Sequence, residues 1–234
     1  MTTLYDMLTA ITFTAGNRIP WLRQCSASIA KQRFEGLQHV VVDCHLKSDW
    51  LGLRLKVLDL DNFVAFVDDE DIVMNDSLAL CLRALEQTGC GVAFTRQRLM
   101  SADGEIGHVY GMPPPTLADI VRMPQGIHHL AVMRRDAIDM GQLREVAQHL
   151  PHGAGIDWAI RANAAALGGA VHVPIDGYGW RRHPGQWHHS KEWKEAFQSG
   201  LPRLRETMLS WFKSPGDRIA TWHPTECTGE VQCV

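Results

Sequence analysis

Hydrophobic positions in the first hundred residues alternate between two spacings. Leu8 to Thr14 is a short β-branched run that stops at Ala15-Gly16-Asn17, a turn signal, and it predicts a first strand. Pro20 suits the first turn of a helix, and Trp21, Leu22, Cys25, Ile29 and Ala30 recur at helical spacing as far as Gln32. Leu37 to Val42 is almost wholly apolar and ends on Asp43. Such a run predicts a strand covered on both faces, as in a parallel sheet. Asp49 to Leu58 reads as a short helix. Phe63 to Val67 reads as a third buried strand ending in Asp68-Asp69-Glu70-Asp71, Asn75 to Gln87 as a helix, and Gly91 to Thr95 as a fourth strand.

This β-α-β-α-β-α-β order predicts a parallel sheet with right-handed crossovers, an α/β Rossmann-like domain with helices on both faces. The segment from Met100 to Met123 is loop-rich, with Asp103-Gly104 and three consecutive prolines. Ile127 to Met133 reads as a strand, Ile156 to Leu167 as a helix closed by Gly168-Gly169, and Val171 to Pro174 as a short last strand. His128 and His129 fall on an apolar strand in this reading, so one of them points inward as a core histidine. Beyond this point Trp180, Trp187, Trp193 and Trp211 are interleaved with Arg and His. The expected organisation is one domain over residues 1–179, in two halves at 1–99 and 100–179, and a basic, aromatic segment over 180–234.

Composition narrows the class. At 234 residues, 45% hydrophobic and 21% charged, the chain can bury a substantial core. Net charge is -3, but residues 180–218 carry eight Lys/Arg against four Asp/Glu, so a basic surface is expected only there. The six cysteines (Cys25, Cys44, Cys81, Cys90, Cys227 and Cys233) form no CxxC pair. With no basic flank ahead of the first apolar run, a reducing, cytoplasmic setting is expected.

Ligands of open α/β sheets bind beyond the carboxyl ends of the strands. Asp43 and the run Asp68 to Asp71 fall there, and Asp157 opens a later helix. Four consecutive carboxylates repel one another unless a cation or basic groups offset them, and carboxylate oxygens suit Mg²⁺ or Mn²⁺ held jointly with a diphosphate. The plainer alternatives are a solvated acidic turn for the run and a helix N-cap for Asp157.

Phe66-Val67-Asp68-Asp69-Glu70-Asp71 resembles the strand-end DxD motif of family 2 glycosyltransferases, which have the GT-A fold. Other segments resemble the family in the same order. They are Ile11 to Arg18 with its Asn-Arg turn, Ser28-Ile29-Ala30-Lys31-Gln32, Val40 to Asp43, Val132 to Arg135, Gly155 to Arg161, and Trp180-Arg181-Arg182-His183-Pro184-Gly185. Together they span most of residues 8–190.

The resemblance implies an inverting, metal-dependent sugar transferase. Asp157 would be the catalytic base. Asp43 would contact the nucleotide base, with Thr14 and Arg18 beside it. Asp68, Asp69 and Arg182 would complete the donor site, and Glu70, Asp71 and His183 would serve a Mn²⁺ or Mg²⁺ ion. The implied donor is a nucleotide-diphosphate sugar, a UDP-sugar first of all. The implied acceptor is a glycan or, given the basic C-terminal segment, a hydroxylated DNA base.

Three positions depart from the family. Ile156 stands where an acid normally precedes the base, and Glu70 stands for Asp at the metal position, leaving Asp69 and Asp71 as alternative ligands. Only nineteen residues separate Asp43 from Phe63, one α-β unit fewer than usual. A sugar nucleotidyltransferase is the alternative enzyme class, against which stands the lack of a Gly-rich, Lys-bearing loop after the first strand. A non-catalytic glycan- or nucleic-acid-binding module is the alternative outside enzymes.

Overall fold

The computed structural model describes residues 7–32, 34–44, 50–57, 62–111, 113–122, 127, 129–150, 154–186, 189–214 and 216–224. The first half follows the predicted alternation. Strand β1 (Leu8–Thr14) is buried along its whole length and leads into helix α1 (Ile19–Ala30), with Pro20 in its first turn. Then come β2 (Leu37–Asp43), α2 (Trp50–Val57), β3 (Phe63–Phe66), the two-residue β4 (Ile72–Val73) and α3 (Ser77–Thr88). Gly89 closes α3 in the left-handed region at φ 69°, and its N–H returns to the Leu85 carbonyl.

β2 departs from its apolar reading. It stands at the edge of the sheet with alternating half-buried and exposed residues, and Val41 is 45% exposed.

The loop-rich reading of residues 100–123 gives way to regular structure. β5 (Val92–Met100) turns through Ser101–Glu105 into β6 (Ile106–Tyr110), a hairpin, and α4 (Leu117–Arg122) follows. The strand expected at 127–133 is the shorter β7 (Ala131–Arg134). His129 therefore precedes the strand, yet it is buried; His128 lies outside the described residues. Then follow α5 (Met140–Ala147), whose N-cap Asp139 accepts from Gly141 and Gln142, and α6 (Ile156–Gly168). β8 (Ala170–Arg181), α7 (Lys191–Ser210) and β9 (Ala220–Thr221) complete the order.

The strands form one sheet in the order β2-β1-β3-β7-β5-β8-β4, with β6 on β5 and β9 on β8. β1, β2, β3, β5, β8 and β9 run one way and carry most of the register; β7, β4 and β6 run against them. β8 lies close to both neighbours: a Cβ at Gly177 would meet Thr95 Oγ1 at 2.3 Å, and one at Gly179 would meet Ile72 at 2.7 Å. The position proposed as a boundary, residue 180, lies inside β8, which runs through it unbroken.

One core cluster packs α4, α5, α6 and α7 on one face of the sheet, and a second packs α1 and α3 on the other. The tryptophans of the last segment serve packing. Trp211 is buried in the first core, Trp193 stacks on Phe197 at 4.7 Å, and Trp180 lies under Arg182. Trp187, Cys227 and Cys233 lie outside the described residues.

His172 on β8 is buried against the Phe94 ring at 5.2 Å. Burial first, then Arg96 and His223, push its imidazole down to about 4. An unfolded histidine titrates near 6.5, so between those values only the unfolded chain takes up the proton. The stabilisation is complete above pH 6.5 and is lost as pH falls toward 4, on the order of 2–3 kcal/mol in all. From pH 7 to 4 the melting temperature of the wild type should fall relative to that of His172→Phe, because Phe keeps the ring contact without the proton. Parallel curves would remove His172 from the acid response.

Candidate active site

The parallel strands β1 and β3 end side by side, Ile11 in register with Phe66, so the residues after them share one rim. There the chain of β1 supplies Thr14 and Arg18, and the turn after β3 supplies Asp68 to Asp71. Thr14 Oγ1 donates to Asp69 Oδ2 at 2.7 Å, and Arg18 Nη1 donates to Asp69 Oδ1 at 3.3 Å and also to Glu70 Oε2. Asp43 ends the neighbouring β2 in register with Thr14 and is exposed.

The end of β8 closes the turn from above. Arg181 N–H donates to Asp71 Oδ1 at 2.7 Å, and its guanidinium donates to the Glu70 carbonyl at 2.6 Å, to the Ala102 carbonyl at 2.7 Å and to Gln24 Oε1 at 2.6 Å. Gln186 Nε2 donates to Glu70 Oε1 at 2.8 Å, and His183 Nε2 lies 2.8 Å from Glu70 Oε2. The Gly185 N–H donates to His183 Nδ1 at 3.1 Å. Nδ1 is thus the acceptor, so the neutral ring carries its proton on Nε2 and donates it to Glu70. Trp21 packs against the His183 ring at 4.6 Å.

Burial orders the four acids by role. Asp71 is fully buried; burial first, then Asp68, raise its carboxyl well above the usual range, against the Arg181 N–H. Burial also raises Asp69, opposed by Thr14 and Arg18. Asp68 is the outward member, with its side chain 41% exposed and 3.5 Å from His129 Nε2. His129 stacks on Tyr178, whose hydroxyl accepts from the Asp68 N–H at 3.1 Å.

Asp157 lies in the first turn of α6. Gly155 holds the cap position of that helix, so Asp157 is not its N-cap. Its carboxylate instead pairs with Arg54 of α2. Arg54 is buried, with its guanidinium 5.0 Å from the Phe13 ring and 6.0 Å from the Phe66 ring. One turn further along α6, Arg161 is buried as well. Burial lowers both guanidinium groups to about 10, and the charge of Asp68 opposes the shift in each.

Thr14, Arg18, Asp69, Glu70 and His183 therefore form one hydrogen-bonded group, joined to Asp71 through Arg181, with Asp68 at its rim; Asp157 pairs with Arg54 outside that group. Arg182 stands apart, exposed, with its guanidinium 4.7 Å from the Trp180 ring. The sequence reading missed Gln186, Arg181, Tyr178, Arg54 and Arg161. Only Arg161 left a trace, as the single cation inside the Ala-rich α6; Arg54 shares α2 with Lys56.

The donor set fits a divalent ion of the Mg²⁺ kind. Glu70 Oε2 and His183 Nε2 are 2.8 Å apart, near the ~3 Å that separates neighbouring ligands on an octahedral ion with ~2.1 Å bonds. Arg18 pairs with both Asp69 and Glu70, and the Arg181 guanidinium adds a second cation beside Glu70 and Asp71. Among the described residues no group of three or more His, Cys, Asp or Glu could hold an ion. Ligation through His183 Nε2 requires its proton to leave.

These elements make a GT-A, Rossmann-like fold. The chain matches no protein-family model and no curated protein. Among solved structures it is similar to S. aureus TarS, a glycosyltransferase. Against TarS 1-349 in complex with UDP-GlcNAc the TM-score is 0.57 at 15% identity, covering 90% of this chain and 67% of that one. Against its complex with UDP the values are 0.55 and 16%, covering 90% and 66%. Against a longer TarS chain they are 0.51 and 16%, covering 76% of this chain and only 37% of the other. At these identities the likeness establishes the fold. No helix among the described residues is long and apolar enough to cross a membrane.

Proposed function

We propose that this chain transfers a sugar from a nucleotide-diphosphate donor, a UDP-sugar first of all, to an acceptor hydroxyl with inversion. The observation that carries the reading is the Arg18-Glu70-His183 cluster at the ends of β1 and β3, together with the Asp157 carboxylate on α6, which Arg54 ties to Phe13 and Phe66 of those same strands. Inversion needs a leaving group bound on one side and a base on the other. TarS, whose fold is similar, binds UDP and UDP-GlcNAc.

In this reading Thr14, Arg18, Asp43 and Asp68 hold the donor. Asp157 takes the proton of the attacking hydroxyl, a role that typically contributes 10²–10⁴-fold in rate. Glu70 and His183 would hold Mn²⁺ or Mg²⁺. When bound, the ion supplies Lewis-acid stabilisation of the charge on the departing diphosphate. Arg18 is placed to meet the same charge directly. The acceptor is a glycan or a hydroxylated DNA base.

The test is incubation of the purified protein with a panel of nucleotide sugars and Mn²⁺, with and without excess EDTA. Release of nucleoside diphosphate that stops in EDTA is the expected result. Full activity in EDTA would refute the metal, and pyrophosphate release from a nucleoside triphosphate and a sugar phosphate would indicate a nucleotidyltransferase. No product in any reaction would favour a binding module.

A further inference from the structure

The residue before the proposed base is Ile156, so no second acid stands beside Asp157 to orient it or tune it. Its partner comes from a distant part of the chain. Arg54 lies on α2, in the shortened connection between β2 and β3, and pairs with the Asp157 carboxylate on α6.

A long side chain can fix another group only if it is fixed itself. Arg54 meets that condition: it is 5% exposed, and its guanidinium lies against Phe13 of β1 and Phe66 of β3. Both phenylalanines belong to buried central strands, which move little. A guanidinium over an aromatic face is held by the ring's negative charge distribution as well as by packing. The chain of contacts thus runs from the rigid strands that carry the donor cluster, through Arg54, to the carboxylate on the acceptor side.

A guanidinium beside a carboxylate stabilises the charged form and weakens it as a base, so what the pairing supplies to catalysis is position rather than proton affinity. Among the described residues, the charged side chains that act on Arg54 are Arg161, one turn along α6, and Asp68 after β3. Both influence Arg54, in opposite senses.

We propose that Arg54 is the positioning residue for Asp157, holding its carboxylate aimed from the frame of β1 and β3. The inference rests on the sugar-transfer reading above, with Asp157 as base.

Two measurements on the whole chain test it. The first is a double-mutant cycle in thermal melting with Arg54→Met, Asp157→Asn and the double variant. Direct pairing makes the losses non-additive, so the double variant should melt close to Arg54→Met alone. The second is steady-state hydrolysis of UDP-GlcNAc and the other panel donors. Arg54→Met should lower kcat about ten- to hundredfold, the scale of a misplaced catalytic group, with donor KM unchanged. Arg54→Lys, which keeps the charge but not the planar fork, should recover part of kcat; it also serves where Arg54→Met does not fold.

Additive melting losses would overturn the pairing. A raised donor KM with unchanged kcat would make Arg54 a donor ligand instead. An inactive wild type overturns the transfer reading alone, and additive losses overturn the Arg54 pairing alone.

Discussion

Asp157→Asn is expected to lose at least about a hundredfold in sugar transfer, the lower end of what a positioned base contributes. Donor binding should persist, because the contacts proposed for the donor come from other residues, at or just after the ends of β1, β2 and β3. The sequence alone suggests an unchanged melting temperature, since Asn caps helices about as well as Asp. The structure changes that expectation. Gly155 occupies the cap, and the Asp157 carboxylate neutralises the buried Arg54. Asn keeps the shape but removes the charge, and a buried charge left short of its partner costs roughly 1–3 kcal/mol. Asp157 is itself 26% exposed and Asp68 remains near Arg54, so the lower part of that range applies. The variant should melt several degrees below wild type while binding a nucleotide sugar normally by calorimetry. Near wild-type transfer would mean that the carboxylate serves only Arg54, and the base would have to be sought elsewhere.

Glu70→Ala is expected to have the largest effect on donor affinity. The Glu70 carboxylate accepts from Arg18, His183 and Gln186, so three donors from two separate segments converge on one buried side chain. Its removal leaves those donors facing a small void. Hydrogen bonds to a charged group are worth about 1.5–3 kcal/mol each, though the three are coupled and water replaces part of the loss. A net loss of about 2–4 kcal/mol corresponds to a melting temperature lower by roughly 5–15 °C. Donor binding in the presence of Mn²⁺ should weaken by at least about tenfold, since Glu70 is the proposed ion ligand and also orders Arg18. Glu70→Gln separates the roles: it preserves volume but turns an amide N–H₂ toward one of the existing donors. A folded Glu70→Gln with wild-type donor affinity would exclude Glu70 from the donor site.

The local features were legible because they depend on near neighbours in the chain. β1, α1, β3, α3 and α6 follow from apolar spacing, from Pro20 at a helix start and from glycines at helix ends. The acid run after β3 was legible as chemistry, because four carboxylates in a row demand compensation wherever the chain goes. His183 and Asp157 were legible only through their resemblance to family segments, and no spacing rule placed them near that run. The short β4 and β6 were missed because a strand of two residues, or one with four of its five residues exposed, has no apolar run to announce it.

Sequence by itself thus determined the alternating elements, the parallel arrangement of most strands and the position of the acidic turn at their carboxyl ends. Tertiary structure decided the rest. An apolar run has the same composition in either direction, so only pairing set β7 antiparallel between β3 and β5 and left β2 at an edge. Periodicity reports which residues are buried, not what meets them there. It could not show that Arg54 reaches Asp157, or that Arg18, His183 and Gln186 converge on Glu70. Those partners lie 52 to 116 residues apart along the chain, and only the closure of the sheet brings them within hydrogen-bonding distance.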